Sequence, residues 1–246
     1  MREASVGFQC PSCVTTGAKT QRQPKTVFGG RISANPRSVT SILIAINVIV
    51  FVAMMATGGT RGPIGQDGAM WAFGVANGEY WRMLTSAFLH SGLMHIAFNM
   101  FALYLFGPAI EEALGRAKYL LTYITLAVAA SVWVYWLSPV NSSTVGASGV
   151  VFGLLGMVLV FMVRSKQDVS GLLVLLALNV VISLQGNVSW QAHLGGFMTG
   201  LVLAAVFVYA PRNRQQLIHT LAFSGLWLVI IAATMLRTTQ LWSIYG

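Results

Sequence analysis

Charge is scarce in this 246-residue chain. Only 9% of its residues are Asp, Glu, Lys or Arg, and 56% are hydrophobic. A soluble domain carries roughly 25% charged residues, so a water-soluble globular fold is excluded. Acidic residues are the rarest, six against 15 Lys and Arg, and none lies inside a long apolar run. An intramembrane aspartyl mechanism needs two such acids and is excluded with them. No His-Glu-x-x-His occurs, so a zincin-like site is unsupported. Position 150 is Val, which breaks the Gly-x-Ser-x-Gly elbow of soluble hydrolases. Cysteine is limited to Cys10 and Cys13. Structural zinc takes four ligands, and no second pair exists. The Cys-x-x-Cys therefore reads as a half-site completed by another chain, a redox pair or, most plainly, a reduced remnant in a flexible tail.

Long apolar runs are abundant. A spanning helix needs about 20 mostly apolar residues. Seven runs qualify: 38–56, 90–107, 117–137, 148–163, 170–185, 191–210 and 216–236. None alternates apolar with polar residues as barrel strands do, so the expected fold is all-α and polytopic. The first run follows a long basic stretch and reads as a permanent span rather than a cleavable signal. Residues 1–37 are polar and basic and read as a disordered cytosolic tail. The chain divides into that tail, a six-helix core over 38–210, and a seventh helix with the C-terminus over 211–246.

The charge of +9 sorts by side. With the N-terminus inside, the inner side holds Arg2, Lys19, Arg22, Lys25, Arg31, Arg37, Arg116, Lys118, Arg164, Lys166, Arg212 and Arg214. The outer side holds only Arg61, Arg82 and Arg237. This is the positive-inside pattern, which argues for a bilayer partner and against nucleic acid. The outer connection 57–89 becomes aromatic at Trp71, Phe73, Tyr80 and Trp81 and reads as half-embedded at the interface.

Polar residues inside spans are costly and mark functional sites. Here they include Ser148, opening the fourth span in Gly146-Ala147-Ser148-Gly149, and His193, near the start of the sixth. From Ser148 to Arg164 the fourth helix rises roughly 24 Å, short of the hydrocarbon thickness of about 30 Å. The loop before Ser148 must therefore dip inward. Gly149 and Gly153, and likewise Gly196 and Gly200, stand four apart, a spacing that lets helices approach closely. A serine becomes a nucleophile when a histidine accepts its proton. With no acid in the spans, the unit is a Ser148–His193 dyad. An oxyanion needs convergent donors. Candidates are the Ser148 N–H at a helix start and the side chains of His95 and Asn99, one turn apart on one helix face.

These residues resemble the rhomboid family of intramembrane serine proteases over about 38–210. The resemblance rests on Tyr80-Trp81-Arg82, on His90 with His95-Ile96-Ala97-Phe98-Asn99, on Gly146-Ala147-Ser148-Gly149, and on Ala192-His193 with Gly196 and Gly200. It implies a six-helix core with Ser148 as nucleophile and His193 as base. His95, Asn99 and the Ser148 amide would hold the oxyanion. Gly146 would permit the tight loop, and Trp81 and Arg82 would shape the first outer loop. The fifth helix and the loop 184–190 would form gate and cap. Substrates would be single-span membrane proteins, with no metal or nucleotide required. The seventh helix goes beyond a minimal six-span member. Two readings compete with a protease: a non-catalytic rhomboid-like binder of membrane segments, and a transporter, for which matching repeats would be needed.

Overall fold

The computed structural model describes residues 2–4, 7–20, 24–32, 37–183 and 188–245. Its elements begin with β1 (Arg2–Ala4) and β2 (Gly7–Gln9), paired antiparallel, and α1 (Pro11–Thr20). Proline at the first position of α1 suits a helix start.

Next come α2 (Ser38–Ala56), α3 (Pro63–Gly68), β3 (Met70–Trp71), α4 (Ala72–Ala76), α5 (Arg82–Thr85), α6 (Leu93–Leu114) and α7 (Arg116–Leu137). They are followed by β4 (Ser143–Thr144), α8 (Ser148–Arg164), α9 (Ser170–Ser183), α10 (Trp190–Tyr209) and α11 (Gln215–Tyr245). Among the described residues, five helices are long and apolar enough to cross a membrane, and α8 and α9 are shorter apolar helices. Helices satisfy every backbone group within themselves, which lipid demands.

Two boundaries differ from the sequence expectation. Helix α6 runs through Pro108 to Leu114, because proline removes one backbone donor and neighbouring helices can support the turn. Helix α11 runs nine residues past the apolar run, to Tyr245, because no helix breaker follows Leu236. Its end packs on the outer loop: Tyr245 meets Phe73 edge-on at 5.4 Å, and Trp242 Nε1 donates to the Ala76 carbonyl at 3.1 Å.

Helix α7 is the central one. Of its apolar window 61% is buried, against 22% for α2 and for α11. Tyr119, Tyr123 and Leu126 on α7 are fully buried beside Leu103, Leu154 and Phe207. At the N-terminus of α2, Glu111 of α6 accepts from the N–H groups of Val39 (2.9 Å) and Thr40 (2.8 Å) and from the Thr40 hydroxyl (2.8 Å). A carboxylate there satisfies otherwise unpaired donors and complements the positive end of the helix dipole.

Helices α8 and α10 touch backbone to backbone. A methyl on Gly196 would lie 1.8 Å from the Gly149 carbonyl oxygen, and one on Gly200 would lie 2.0 Å from that of Gly153. Only glycine permits this approach, and it carries the start of α8 against the start of α10.

Candidate active site

The loop between α2 and α6 folds against the approach to α8. Strand β3 pairs antiparallel with β4, Met70 opposite Thr144 and Trp71 opposite Ser143. The Gly146 N–H donates to the Ser86 carbonyl at 2.9 Å, and the Ala147 N–H reaches His90 Nε2 at 3.5 Å. Arg82 is buried and holds the loop together. Its guanidinium bonds Glu79 and the Gln66 carbonyl, donates to the Ala69 carbonyl at 3.0 Å, and lies 5.9 Å above the Trp71 ring. Trp81 is exposed and anchored by Nε1, which donates to the Asp67 carbonyl at 3.1 Å.

Gly146 has φ +134°, a conformation that side chains other than glycine's rarely adopt. A methyl on it would lie 2.7 Å from His95 Nε2 and 3.6 Å from Ser148 Oγ. The imidazole and the hydroxyl therefore border the same few ångströms of space. Ser148 opens α8, and no side chain caps that helix. The first N–H groups of a helix have no partner within it, so those at Ser148 and Gly149 are open to a ligand. Asn99 is buried, and its amide donates to the His95 carbonyl at 2.8 Å, leaving the second amide hydrogen for another acceptor. His95 Nδ1 contacts Ser91 Oγ at 3.0 Å.

His193 is buried, its ring stacked on Phe152 at 4.0 Å between centroids and 12° between planes. Phe152 stands one turn after Ser148 on α8, so the imidazole lies against the helix that the serine heads. His193 Nε2 is buried without a hydrogen-bond partner. No hydrogen bond joins it to Ser148 among the described residues. Hydrogen bonds of this type are often long in ligand-free sites and tighten on binding. Nδ1 meets Ser183 Oγ of α9 at 2.8 Å.

One residue beside this centre carried no sequence signal. Ser183 is the only buried residue of α9; a serine at the end of an apolar run looks like a boundary. His90, one of the residues that carry the resemblance, is fully buried, 5.0 Å from His95 between ring centroids. Of the cap segment 184–190, residues 184–187 lie outside the described residues. A small cavity of about 20 Å³ lies behind the serine, lined by Ser86, Ala130, Ser131, Gly146, Gly149 and Ala192 among others. Among the described residues, no group of three or more His, Cys, Asp or Glu side chains could hold a metal ion.

Among the described residues, seven apolar helices, two of them shorter than the rest, surround a serine, three histidines and an asparagine. The fold and site together define a polytopic α-helical membrane protein with a polar centre. A family model described as Rhomboid domain matches residues 77–210, more than half of the chain. The chain is 38% identical over 148 residues to the putative rhomboid protease YdcA of Bacillus subtilis, an alignment covering 57% of this chain and 74% of that protein. It is 25% identical over 242 residues to the rhomboid protease AarA of Providencia stuartii, covering 84% and 83%. With the rhomboid protease GluP of Bacillus subtilis it shares 30% over 199 residues, covering 76% of this chain and 38% of that one. The chain belongs to the rhomboid family.

Proposed function

We propose that this protein is an intramembrane serine endopeptidase that cuts single-span membrane proteins in or near their transmembrane segment. Residues 38–210 form its core, and α11 is an added seventh helix. The observation that carries the reading is His193 Nε2, a buried, unpartnered nitrogen against the helix that Ser148 heads. An orphaned polar atom in a core is costly, and this one lies against the helix whose first residue carries the hydroxyl it would deprotonate.

In the proposed mechanism His193 Nε2 takes the Ser148 proton as Oγ attacks the scissile carbonyl. The tetrahedral oxyanion accepts hydrogen bonds from the Ser148 N–H, the Asn99 amide and the His95 ring. Collapse breaks the C–N bond, and His193 returns the proton to the departing amine. Water then attacks the acyl-enzyme, again through His193, and frees Ser148. A substrate helix hides its carbonyls in its own hydrogen bonds, so weakly helical segments are favoured. The sidedness of basic residues supports a cytosolic N-terminus, an outer C-terminus and a bacterial plasma membrane.

The missing Ser148–His193 hydrogen bond favours one second reading, a non-catalytic binder of membrane segments. Cleavage of a single-span reporter in liposomes separates the two. The protease reading requires that wild type cut and that Ser148→Ala and His193→Ala fail. A folded wild type that binds several weak-helix reporters and cuts none supports the binder.

A further inference from the structure

The geometry points to Ser183 as a positioning residue that sets the tautomer of His193. The inference rests on the proposed Ser148–His193 chemistry. A serine hydroxyl has one proton. Ser183 Oγ lies 2.7 Å from the Asn179 carbonyl, which can only accept, and 2.8 Å from His193 Nδ1. With its proton on the Asn179 carbonyl, Ser183 Oγ accepts from His193 Nδ1–H. The lone pair of the neutral ring is then on Nε2, the unpartnered atom that a base for Ser148 must present. The opposite tautomer would turn the single Ser183 proton toward Nδ1 and forfeit its bond to the Asn179 carbonyl, one hydrogen bond fewer in a buried place.

The position of Ser183 has a second consequence. On α9, Leu173, Val174, Leu178, Val180, Val181 and Ile182 are exposed, and Ser183 alone is buried. Displacing the end of α9 from α10 breaks the bond to Nδ1. Docking of α9 and readiness of the base are thereby one event, and no buried acid is needed to orient the imidazole.

The test compares Ser183→Ala, Ser183→Thr and Ser183→Val in the full chain in liposomes. Thr and Val share a shape and differ in the hydroxyl. Loss of one neutral hydrogen bond corresponds to a fall in kcat of about three- to tenfold. Ala and Val are expected to show that fall with KM unchanged, and Thr to stay within roughly twofold of wild type. Solid-state ¹⁵N NMR of histidine-labelled protein, with the His193 signals identified by their loss in His193→Gln, is expected to place the proton on Nδ1. Thr and Val variants of equal kcat, or a wild-type His193 protonated on Nε2, overturn the assignment. If the wild type cuts nothing, the dyad reading fails, and the tautomer spectrum alone decides whether Ser183 holds His193 as inferred.

Discussion

Replacing Gly196 with alanine tests whether the close approach of α8 and α10 builds the site. The new methyl would sit 1.8 Å from the Gly149 carbonyl oxygen and 2.7 Å from its carbon. Ordinary contact begins near 3.4 Å, and both partners are helix backbone, so no side chain can swing aside. The helices must part by about 1.5 Å to restore contact distance. Overpacking of this kind costs about 1–3 kcal/mol, which lowers the unfolding midpoint without abolishing the fold. The effect on chemistry is larger, because a misplacement of about 1 Å can reduce a rate by about a hundredfold. His193 and Ser148 sit on the two helices being separated. Gly196→Ala is therefore expected to lose about a hundredfold in kcat/KM in liposomes while remaining folded by tryptophan fluorescence. Gly225→Ala on α11, where a methyl meets nothing within 4 Å, serves as the control and should retain activity with stability equal or higher by up to about 1 kcal/mol. Near-wild-type cleavage by Gly196→Ala would refute the coupling of helix approach to site geometry.

Gly146→Ala meets both an unfavourable φ and the His95 ring; a fall of at least about tenfold in kcat, measured on the same reporter, is expected from the displaced imidazole. Glu111→Ala leaves the Val39 and Thr40 N–H groups without their carboxylate, and thermal unfolding should show a loss of about 1–3 kcal/mol. In the tail, the Cys10 thiol is pulled down to about 7 by the Ser12 hydroxyl and by the backbone and side chain of Cys13. Donors to a thiolate stabilise the charged form, so iodoacetamide labelling of Cys10, followed by mass spectrometry, should rise through a midpoint near 7, and Ser12→Ala should move that midpoint upward.

Much of the fold was legible as apolar length. Helix α2 begins and ends where its apolar run does, because nothing else competes for a run of that composition in lipid. Apolar length alone does not set the ends of α6 and α11. The apolar count stopped α11 near residue 236, although Arg237 could remain helical by donating to the Tyr135 carbonyl at 3.1 Å. The apolar run 90–107 stops before Pro108, whereas α6 continues through it to Leu114. The candidate site was legible where one residue type names its chemistry, as with a serine, a histidine and an asparagine in spans. It was not legible where the role depends on a distant partner. Glu111 caps a helix that starts more than 70 residues earlier, and Ser183 matters only because His193 Nδ1 faces it. The β3–β4 pairing joins two short polar-aromatic stretches that carry no alternation long enough to read as strands.

The central claim is that Ser148 is a nucleophile activated by His193. A fluorophosphonate probe incubated with the full-length protein in liposomes, with the adduct located by peptide mass spectrometry, tests it most directly. The account predicts a single adduct on Ser148, lost in Ser148→Ala and strongly slowed in His193→Ala, while Gly225→Ala labels as wild type does. A folded wild type that forms no adduct, or a His193→Ala variant that labels at the wild-type rate, would contradict it.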